Sequence, residues 1–149
     1  MMHVMCGIPS SGKTTLSKQL ALEYNAILYC YDTLPRKHWS DDNHSIMYEN
    51  IIQALSKGNV VICDDLHITE KMRKRLINAL ENVECIKILH VMQTNLHQCI
   101  ERNHRRDYGK LPDLALKHCY AEYESPTLDE GWDEIIYHEY IEEVIPHDN

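Results

Sequence analysis

Short apolar runs rich in β-branched and aromatic residues alternate along the chain with longer segments in which apolar positions recur at helical spacing. Apolar runs bounded by polar residues are typical of strands buried on both faces, and the periodic segments between them are typical of amphipathic helices. The alternation predicts an α/β fold in which helices cover both faces of a five-stranded parallel sheet. The predicted strands span residues 3–6, 26–31, 60–64, 86–92 and 134–140.

Five helices are predicted between these strands, and three of them have recognisable starts. Thr69 and Asn95 are placed to cap two helix N-termini, and Pro112 stands at a first helical position. The stretch 33–43 is the longest irregular segment, and such loops often carry function. At 149 residues we expect one domain over 1–149. The predicted helices span residues 13–24, 44–57, 69–81, 95–105 and 112–124.

The most specific local signal is a glycine-containing segment that follows the first predicted strand and opens the first predicted helix. It matches G-x-x-x-x-G-K-[ST], a pattern whose backbone N–H groups curl around a phosphate at a helix N-terminus. In this pattern Lys13 reaches the β- and γ-phosphate oxygens and Thr14 holds Mg²⁺. We therefore expect ATP, or another nucleoside triphosphate, to bind here with Mg²⁺. The segment consists of Gly7, Ile8, Pro9, Ser10, Ser11, Gly12, Lys13, Thr14 and Thr15.

Carboxylates stand at the ends of two predicted strands, where ligands bind in open parallel sheets. Asp64 closes the strand 60–64 and can order magnesium or its water shell, with Asp65 as a competitor or partner for that role. Asp32 closes the second strand, where a carboxylate can accept the proton of an attacking hydroxyl. An Asp that only initiates a turn is the alternative at both positions. We expect Asp64 to serve the metal site and Asp32 to be the catalytic base.

Arg102 and Arg106 are four residues apart at the end of the predicted helix 95–105, so they share one of its faces. We expect this region to form a helical lid, in which the two arginines clamp the triphosphate and act in catalysis together with Lys13. Cations at a helix C-terminus are also explained by the helix macrodipole. With Arg105 beside them, however, the three arginines repel one another unless an anion joins them.

The charge distribution limits the kinds of partner that the chain can bind. Its formal net charge is −8, and no Lys or Arg follows Lys117, which argues against a protein that coats nucleic acid by bulk attraction. A local cationic site is still compatible with this charge. Four cations in the predicted helix 69–81 interleave with apolar residues and are interpreted as a solvated face: Lys71, Arg73, Lys74 and Arg75.

The composition is that of a globular protein, with 44% apolar and 26% charged residues. No apolar run approaches the roughly 20 residues of a membrane helix, and the N-terminus lacks the features of a signal peptide. Six scattered cysteines without a C-x-x-C pair are typical of reduced, packed thiols, and the ten histidines form no metal-binding motif. We expect a soluble cytoplasmic protein with no membrane contact.

With these residues in place, the chain resembles the kinase domain of the phage-type polynucleotide 5′-hydroxyl kinases and their relatives among small P-loop kinases. The resemblance covers nearly the full length, in both order and spacing. Its elements are the P-loop at 7–14, Asp32, the strand closing at Asp64, Arg102-Asn-x-x-Arg106, Leu111-Pro112, Tyr120, Tyr123 and the segment Pro126-Thr-Leu-x-Glu-Gly-Trp-x-Glu-Ile.

The resemblance implies a division of roles between donor and acceptor sites. Lys13 and Thr14 would bind the donor phosphates and magnesium. Asp32 would be the general base on the 5′-hydroxyl of DNA or RNA, and Arg106, assisted by Arg102, would stabilise charge on the transferring phosphoryl group.

Two positions depart from the pattern of these kinases. Arg36 is the nearest candidate for the arginine that binds the acceptor's phosphate, and it stands four positions after Asp32 where the pattern has three. Asp64-Asp65-Leu66 stands where relatives commonly show Asp-Thr-Asn.

Two other functions remain open from the sequence. The first is a small-molecule kinase that acts on a nucleoside, nucleotide or other metabolite, which the net negative charge favours. The second is a nucleotide-binding switch or ATPase that has no acceptor. Because one P-loop scaffold hosts many phosphotransferases, the acceptor must be argued from its own site.

Overall fold

Five parallel strands form the centre of the molecule, for which a computed structural model describes residues 1–34 and 43–139. In chain order the strands are β1 (Met2–Cys6), β2 (Ile27–Cys30), β3 (Val61–Asp64), β4 (Lys87–Met92) and β5 (Glu134–His138). They lie in the order β2-β3-β1-β4-β5, and every neighbouring pair is parallel. The predicted five-stranded parallel sheet is confirmed, with differences at the strand ends. The predicted end of the last strand, residue 140, lies outside the described residues.

The described residues form five α-helices, as predicted, with ends that lie within two residues of the predicted ones. They are α1 (Lys13–Tyr24), α2 (Asn43–Ser56), α3 (Glu70–Ala79), α4 (Leu96–His104) and α5 (Asp113–Glu122). The Thr69 side chain accepts the backbone N–H of Met72, and Asn95 forms a reciprocal capping box with Gln98, so both predicted N-caps are confirmed. Pro112 directly precedes α5 instead of opening it. None of the described helices combines the length and the apolar character needed to cross a bilayer.

The two faces of the sheet are covered by different helices. Met2, Val4 and Cys6 of β1 pack on one face among buried residues of α2 and α3. Met5 points to the opposite face, where it packs with Leu20 of α1. Since successive strand residues point to opposite sides, the wholly buried β1 is the continuous apolar strand expected between two helical layers.

A third apolar cluster fixes α4 and α5 at the carboxyl end of the sheet. It joins Ile8, which follows β1, and Ile68, which follows β3, to Cys99 of α4 and Leu116 of α5. All four side chains are buried. This cluster places the two helices next to the segment that connects β1 to α1.

Arg73 corrects the interpretation of the α3 cations as one solvated face. Lys71, Lys74 and Arg75 are exposed, but Arg73 is wholly buried. Its guanidinium donates to both carboxylate oxygens of Glu130, with a shortest distance of 2.7 Å, and to the carbonyl oxygen of residue 67. Burial alone would lower the pKa of Arg73, but Glu130 raises it above its ordinary value. The ion pair therefore ties the segment before β5 to α3.

Three histidines on adjacent strands form a hydrogen-bonded row across the sheet. His3 Nδ1 lies 2.8 Å from His90 Nε2, and His90 Nδ1 lies 2.8 Å from His138 Nε2. Burial, together with His138 and His3, lowers the pKa of His90 to about 3. The pKa values of His3 and His138 are also lowered, chiefly by burial. All three imidazoles are therefore neutral at neutral pH.

We predict that this histidine row makes the protein less stable in mild acid. The unfolded chain binds protons near pH 6.5 while His90 stays neutral in the fold, so stability is full above that pH and falls as the pH drops. His90 alone lowers the free energy of unfolding by about 2 kcal/mol between pH 7 and pH 5. Urea unfolding at both pH values measures it. His90→Leu is expected to reduce the loss, whereas His97→Gln on an exposed helix face is not; equal losses in all three proteins would refute the prediction.

Candidate active site

The connection between β1 and α1 forms a tight loop with the backbone geometry of a phosphate cradle. Gly12 has φ 99° and Ser10 has φ 65°, both in the left-handed region. A Cβ at Gly7 would lie 2.5 Å from Ser11 Oγ, so a side chain there would displace the loop. The hydroxyls of Ser10 and Ser11 are buried and have no partner within the described part of the chain. A bound phosphate oxygen would supply one, because buried polar groups are normally hydrogen-bonded.

Lys13 opens α1 and is almost completely buried. Its ammonium donates to the carbonyl oxygen of Ile8 at 3.0 Å, which holds the side chain back across the loop. Burial lowers the pKa of Lys13, while the nearby carboxylates of Asp64, Asp65 and Asp32 act in the opposite direction. A phosphate at the loop would add a further negative partner to this buried cation.

Asp64 at the end of β3 lies directly beside the first turn of α1. Its Oδ2 accepts hydrogen bonds from Thr14 Oγ1 at 3.0 Å and from Ser17 Oγ at 3.1 Å. Hydroxyl and carboxylate oxygens are the ligands that Mg²⁺ prefers, usually alongside substrate phosphates and water. Thr14 and Asp64 therefore fit a magnesium site. Ser17 was not identified from the sequence, although its position three residues after Thr14 places it on the same face of α1.

The loop borders a cavity of about 150 Å³ that both predicted lid arginines help to line. Arg102 Nη1 lies 3.4 Å from the place that a Cβ on Gly12 would occupy, so the guanidinium sits over the loop. Arg105 turns away and pairs with Glu101 at 3.8 Å. Only two of the three clustered arginines therefore face the cavity, which relieves the repulsion expected from the sequence. The lining is Ser10, Gly12, Lys13, Thr14, Thr15, Arg102 and Arg106.

Two polar residues that the sequence did not single out for a role hold the arginine-bearing segment in place. Thr94, between β4 and α4, donates to the carbonyl oxygen of Ser11 at 2.6 Å. Asn103 bonds Leu111 twice: its Nδ2 donates to the carbonyl oxygen at 2.6 Å, and its Oδ1 accepts the N–H at 3.0 Å. The first contact ties α4 to the phosphate loop, and the second closes the segment between Arg102 and α5.

Asp32 lies at the carboxyl end of β2, although its local structure differs from the prediction. Residue 31 was predicted to end the strand, but Tyr31–Thr33 form a single turn of 3₁₀ helix. Asp32 is exposed in this turn and close enough to Lys13 to influence its pKa. Arg36, the predicted acceptor-binding arginine, lies outside the described residues.

Comparison with protein families gives one match that covers nearly the entire chain. The family model described as "Chromatin associated protein KTI12" matches residues 1–148. Two curated relatives are also similar to the chain, which covers only part of the length of each. The chain is 26% identical over 133 residues to a bifunctional polynucleotide phosphatase/kinase of Schizosaccharomyces pombe, covering 87% of the chain and 31% of that protein. It is 23% identical over 144 residues to an L-seryl-tRNA(Sec) kinase of Methanococcus maripaludis, covering 89% and 56%.

Among solved structures, the fold is similar to that of Chaetomium thermophilum Kti12 in complex with ADP-AlF3. The TM-score is 0.73 at 20% identity, with 94% of this chain and 89% of that chain covered. At this identity the likeness concerns the fold. The chain spans about a third and about half of the two curated relatives' lengths, so their complete activities do not transfer to it.

Proposed function

This chain belongs to the KTI12 family, and we propose that it is an ATP-dependent kinase that transfers the γ-phosphoryl group to a hydroxyl acceptor. The resemblance to small P-loop kinases is confirmed in its broader form, and the family that the chain matches is KTI12 and not specifically the phage-type polynucleotide kinases. The observation that carries the proposal is the cavity in which Lys13 and two arginines surround the space above the phosphate loop.

The donor half of the site follows from this arrangement of cations. Phosphoryl transfer needs the donor held in line and the charge on the transferring group neutralised. The N–H groups of the loop and Lys13 would bind the β- and γ-phosphates. Arg102 would approach from α4, and Arg106 from the segment just beyond its end. Thr14 and Asp64 would hold Mg²⁺, which when bound neutralises phosphate charge.

The acceptor half is assigned to the neighbouring strand ends. Asp32 would accept the proton of the attacking hydroxyl, and its carboxylate is exposed beside the donor site. We propose a 5′-hydroxyl end of DNA or RNA as the acceptor. Its support is that one curated relative is named as a polynucleotide kinase, and that the other is named as a kinase of a seryl-tRNA, which also contains nucleic acid. The choice of a 5′-hydroxyl rests on the resemblance seen in the sequence.

A small-molecule acceptor is the second candidate, favoured by the net charge of −8. The two acceptor classes are distinguished by initial rates of phosphoryl transfer from ATP with Mg²⁺. These rates are measured with 5′-hydroxyl oligonucleotides and with nucleosides, nucleotides and sugars. The proposed acceptor predicts a higher kcat/KM on oligonucleotides that falls as salt is raised, because phosphate contacts are screened. A higher kcat/KM on a small metabolite, independent of salt, would assign the chain to the second class.

We predict that Arg102→Ala and Arg106→Ala each lower kcat by about 10²-fold or more, because each removes a guanidinium from the transferring phosphoryl group. The effect on ATP binding should be smaller than the effect on kcat. Lysine at either position is expected to restore only part of the rate, since it keeps the charge without the planar fork. Steady-state kinetics and calorimetric titration with ATP measure the two effects.

Arg105→Ala is the matched control, because Arg105 belongs to the same cluster but pairs with Glu101 away from the cavity. It should retain the wild-type kcat. Equal losses in the Arg105 variant and the other two would mean that the cluster stabilises the segment instead of acting on the phosphates.

A further inference from the structure

His44 and Asp65 form a pair at the carboxyl end of the sheet that the donor site does not use. His44 lies in the first turn of α2, and its Nε2 is 2.9 Å from Asp65 Oδ2. The other carboxylate oxygen of Asp65 accepts the N–H of Leu66 at 2.8 Å, which fixes the orientation of the carboxylate. The imidazole also stacks on the Tyr31 ring, with centroids 4.1 Å apart and planes 14° apart. His44 is therefore held on two sides.

The position of this pair places it beside the acceptor half of the site. Tyr31 directly precedes Asp32, and Asp65 directly follows Asp64. The strands β2 and β3 that carry these residues pair side by side, with Cys30 opposite Asp64. The arginines reach the phosphate loop from α4, which follows β4 on the other side of β1. His44 thus stands on the side opposite the arginines, near the proposed base.

The contact with Asp65 determines which ring nitrogen carries the proton. An ionised carboxylate only accepts hydrogen bonds, so the neutral imidazole must donate its N–H from Nε2. The second nitrogen, Nδ1, then carries a lone pair. Within the described residues, the His44 side chain forms its hydrogen bond through Nε2, to Asp65. The side chain is 19% exposed, so a ligand can reach it.

We infer that His44 binds the acceptor, with Nδ1 accepting a hydrogen bond from a ribose 2′-hydroxyl or a base N–H of the terminal nucleotide and not from the attacking hydroxyl, and that Asp65 is the positioning residue that sets this tautomer. The inference rests on the proposed kinase function and adds a specific acceptor contact to it. No proton is transferred to His44 in this role, because the attacking hydroxyl gives its proton to Asp32.

Two substitutions separate acceptor binding from a structural role. In His44→Gln the side-chain amide reaches the place of Nε2, so the bond to Asp65 can remain while Nδ1 is lost. In His44→Asn the amide lies near the place of Nδ1, so the bond to Asp65 is lost while a hydrogen-bond acceptor remains. Acceptor binding predicts the larger KM effect for Gln, and a purely structural role predicts the larger effect for Asn.

The experiment measures KM for a 5′-hydroxyl oligonucleotide, kcat and the Kd for ATP in wild type, both His44 variants and His118→Gln. His118 is an exposed histidine on α5 that pairs with Glu122, so its variant should match the wild type. We expect His44→Gln to raise the acceptor KM about tenfold, the value of one hydrogen bond, with the ATP Kd unchanged. Asp65→Asn should raise the same KM, because an amide can donate to Nε2 and move the imidazole proton to Nδ1.

The possible failures can be told apart. If the wild type transfers phosphate and His44→Gln keeps the wild-type acceptor KM, or if only His44→Asn is impaired, the inference is wrong and the kinase function stands. If the wild type neither transfers phosphate to the oligonucleotide nor binds it in the ADP-loaded state, the nucleic-acid acceptor and this contact are both overturned. The kinase function itself is overturned only if nucleosides, nucleotides and sugars are not phosphorylated either. A tenfold rise confined to the acceptor KM of His44→Gln and Asp65→Asn supports the inference.

Discussion

Lys13→Ala is expected to lower kcat for phosphoryl transfer by about 10³-fold and to weaken ATP binding. Lys13 is buried and its ammonium is held across the phosphate loop by the carbonyl oxygen of Ile8. Electrostatic contributions are largest in such water-poor sites, and removing a single preorganised donor from one costs about 10² to 10³ in rate. The Lys13 side chain also carries a full charge that would face the β- and γ-phosphates. Single-turnover kinetics and ATP titration measure the two losses.

Lys18→Ala provides the control, because Lys18 lies on the exposed side of the same helix. It removes an equal charge from α1 without touching the loop, so both the rate and the ATP Kd should stay at wild-type values. The role of Lys13 would be disproved if the Lys13 variant bound ATP and transferred phosphate as well as the Lys18 variant.

Asp32→Asn is expected to reduce kcat by about 10²- to 10⁴-fold and to leave the ATP Kd nearly unchanged. The substitution keeps the shape of the side chain but removes its ability to take a proton from the acceptor hydroxyl. ATP binding should survive, since the cavity above the phosphate loop is lined by other residues. The contrast with Lys13→Ala, which should impair both quantities, assigns the two residues to different steps.

Asp129→Asn is the matched control for Asp32. Asp129 is likewise an exposed aspartate in a single turn of 3₁₀ helix, Leu128–Glu130, but it lies outside the proposed site. Its variant should retain full activity. If Asp32→Asn also retained full activity, a group other than Asp32 would have to accept the proton of the hydroxyl. If the wild type and Asp32→Asn only hydrolysed ATP, slowly and at the same rate, the nucleotide switch without an acceptor would be favoured.

The parts of the molecule that the sequence predicted well depend on short-range patterns. The phosphate loop has a fixed residue spacing between a strand and a helix, and the strands and helices have apolar periods that single segments reveal. Thr69 and Asn95 were recognised because an N-cap acts within three residues. The arginines Arg102 and Arg106 were paired on helical spacing, and both line the cavity although α4 ends at His104 and Arg106 lies beyond its end.

The parts that the sequence did not reveal depend on contacts between distant segments. His44 and Asp65 are 21 residues apart, and Arg73 and Glu130 are 57 apart. Arg73 looked like its exposed neighbours because no local feature distinguishes a cation that has a buried carboxylate partner elsewhere. Such pairings follow from strand order and helix packing, which a single sequence does not specify.

The row of histidines illustrates the same limit. His3 and His90 are 87 residues apart, and they meet because β1 and β4 are neighbours in the sheet. In the sequence they were scattered histidines without a metal-binding motif. Their shared burial, and hence their lowered pKa values, could be inferred only after the strand register was known.

The most direct test is a single-turnover reaction of γ-labelled ATP with excess protein, Mg²⁺ and a 5′-hydroxyl DNA or RNA oligonucleotide, run beside Lys13→Ala and Asp32→Asn. We predict that the wild type moves the label to the 5′ end of the oligonucleotide and that neither variant does so at a comparable rate. Label recovered only as inorganic phosphate from the wild type, with no labelled product from an oligonucleotide, nucleoside, nucleotide or sugar, would contradict the kinase function.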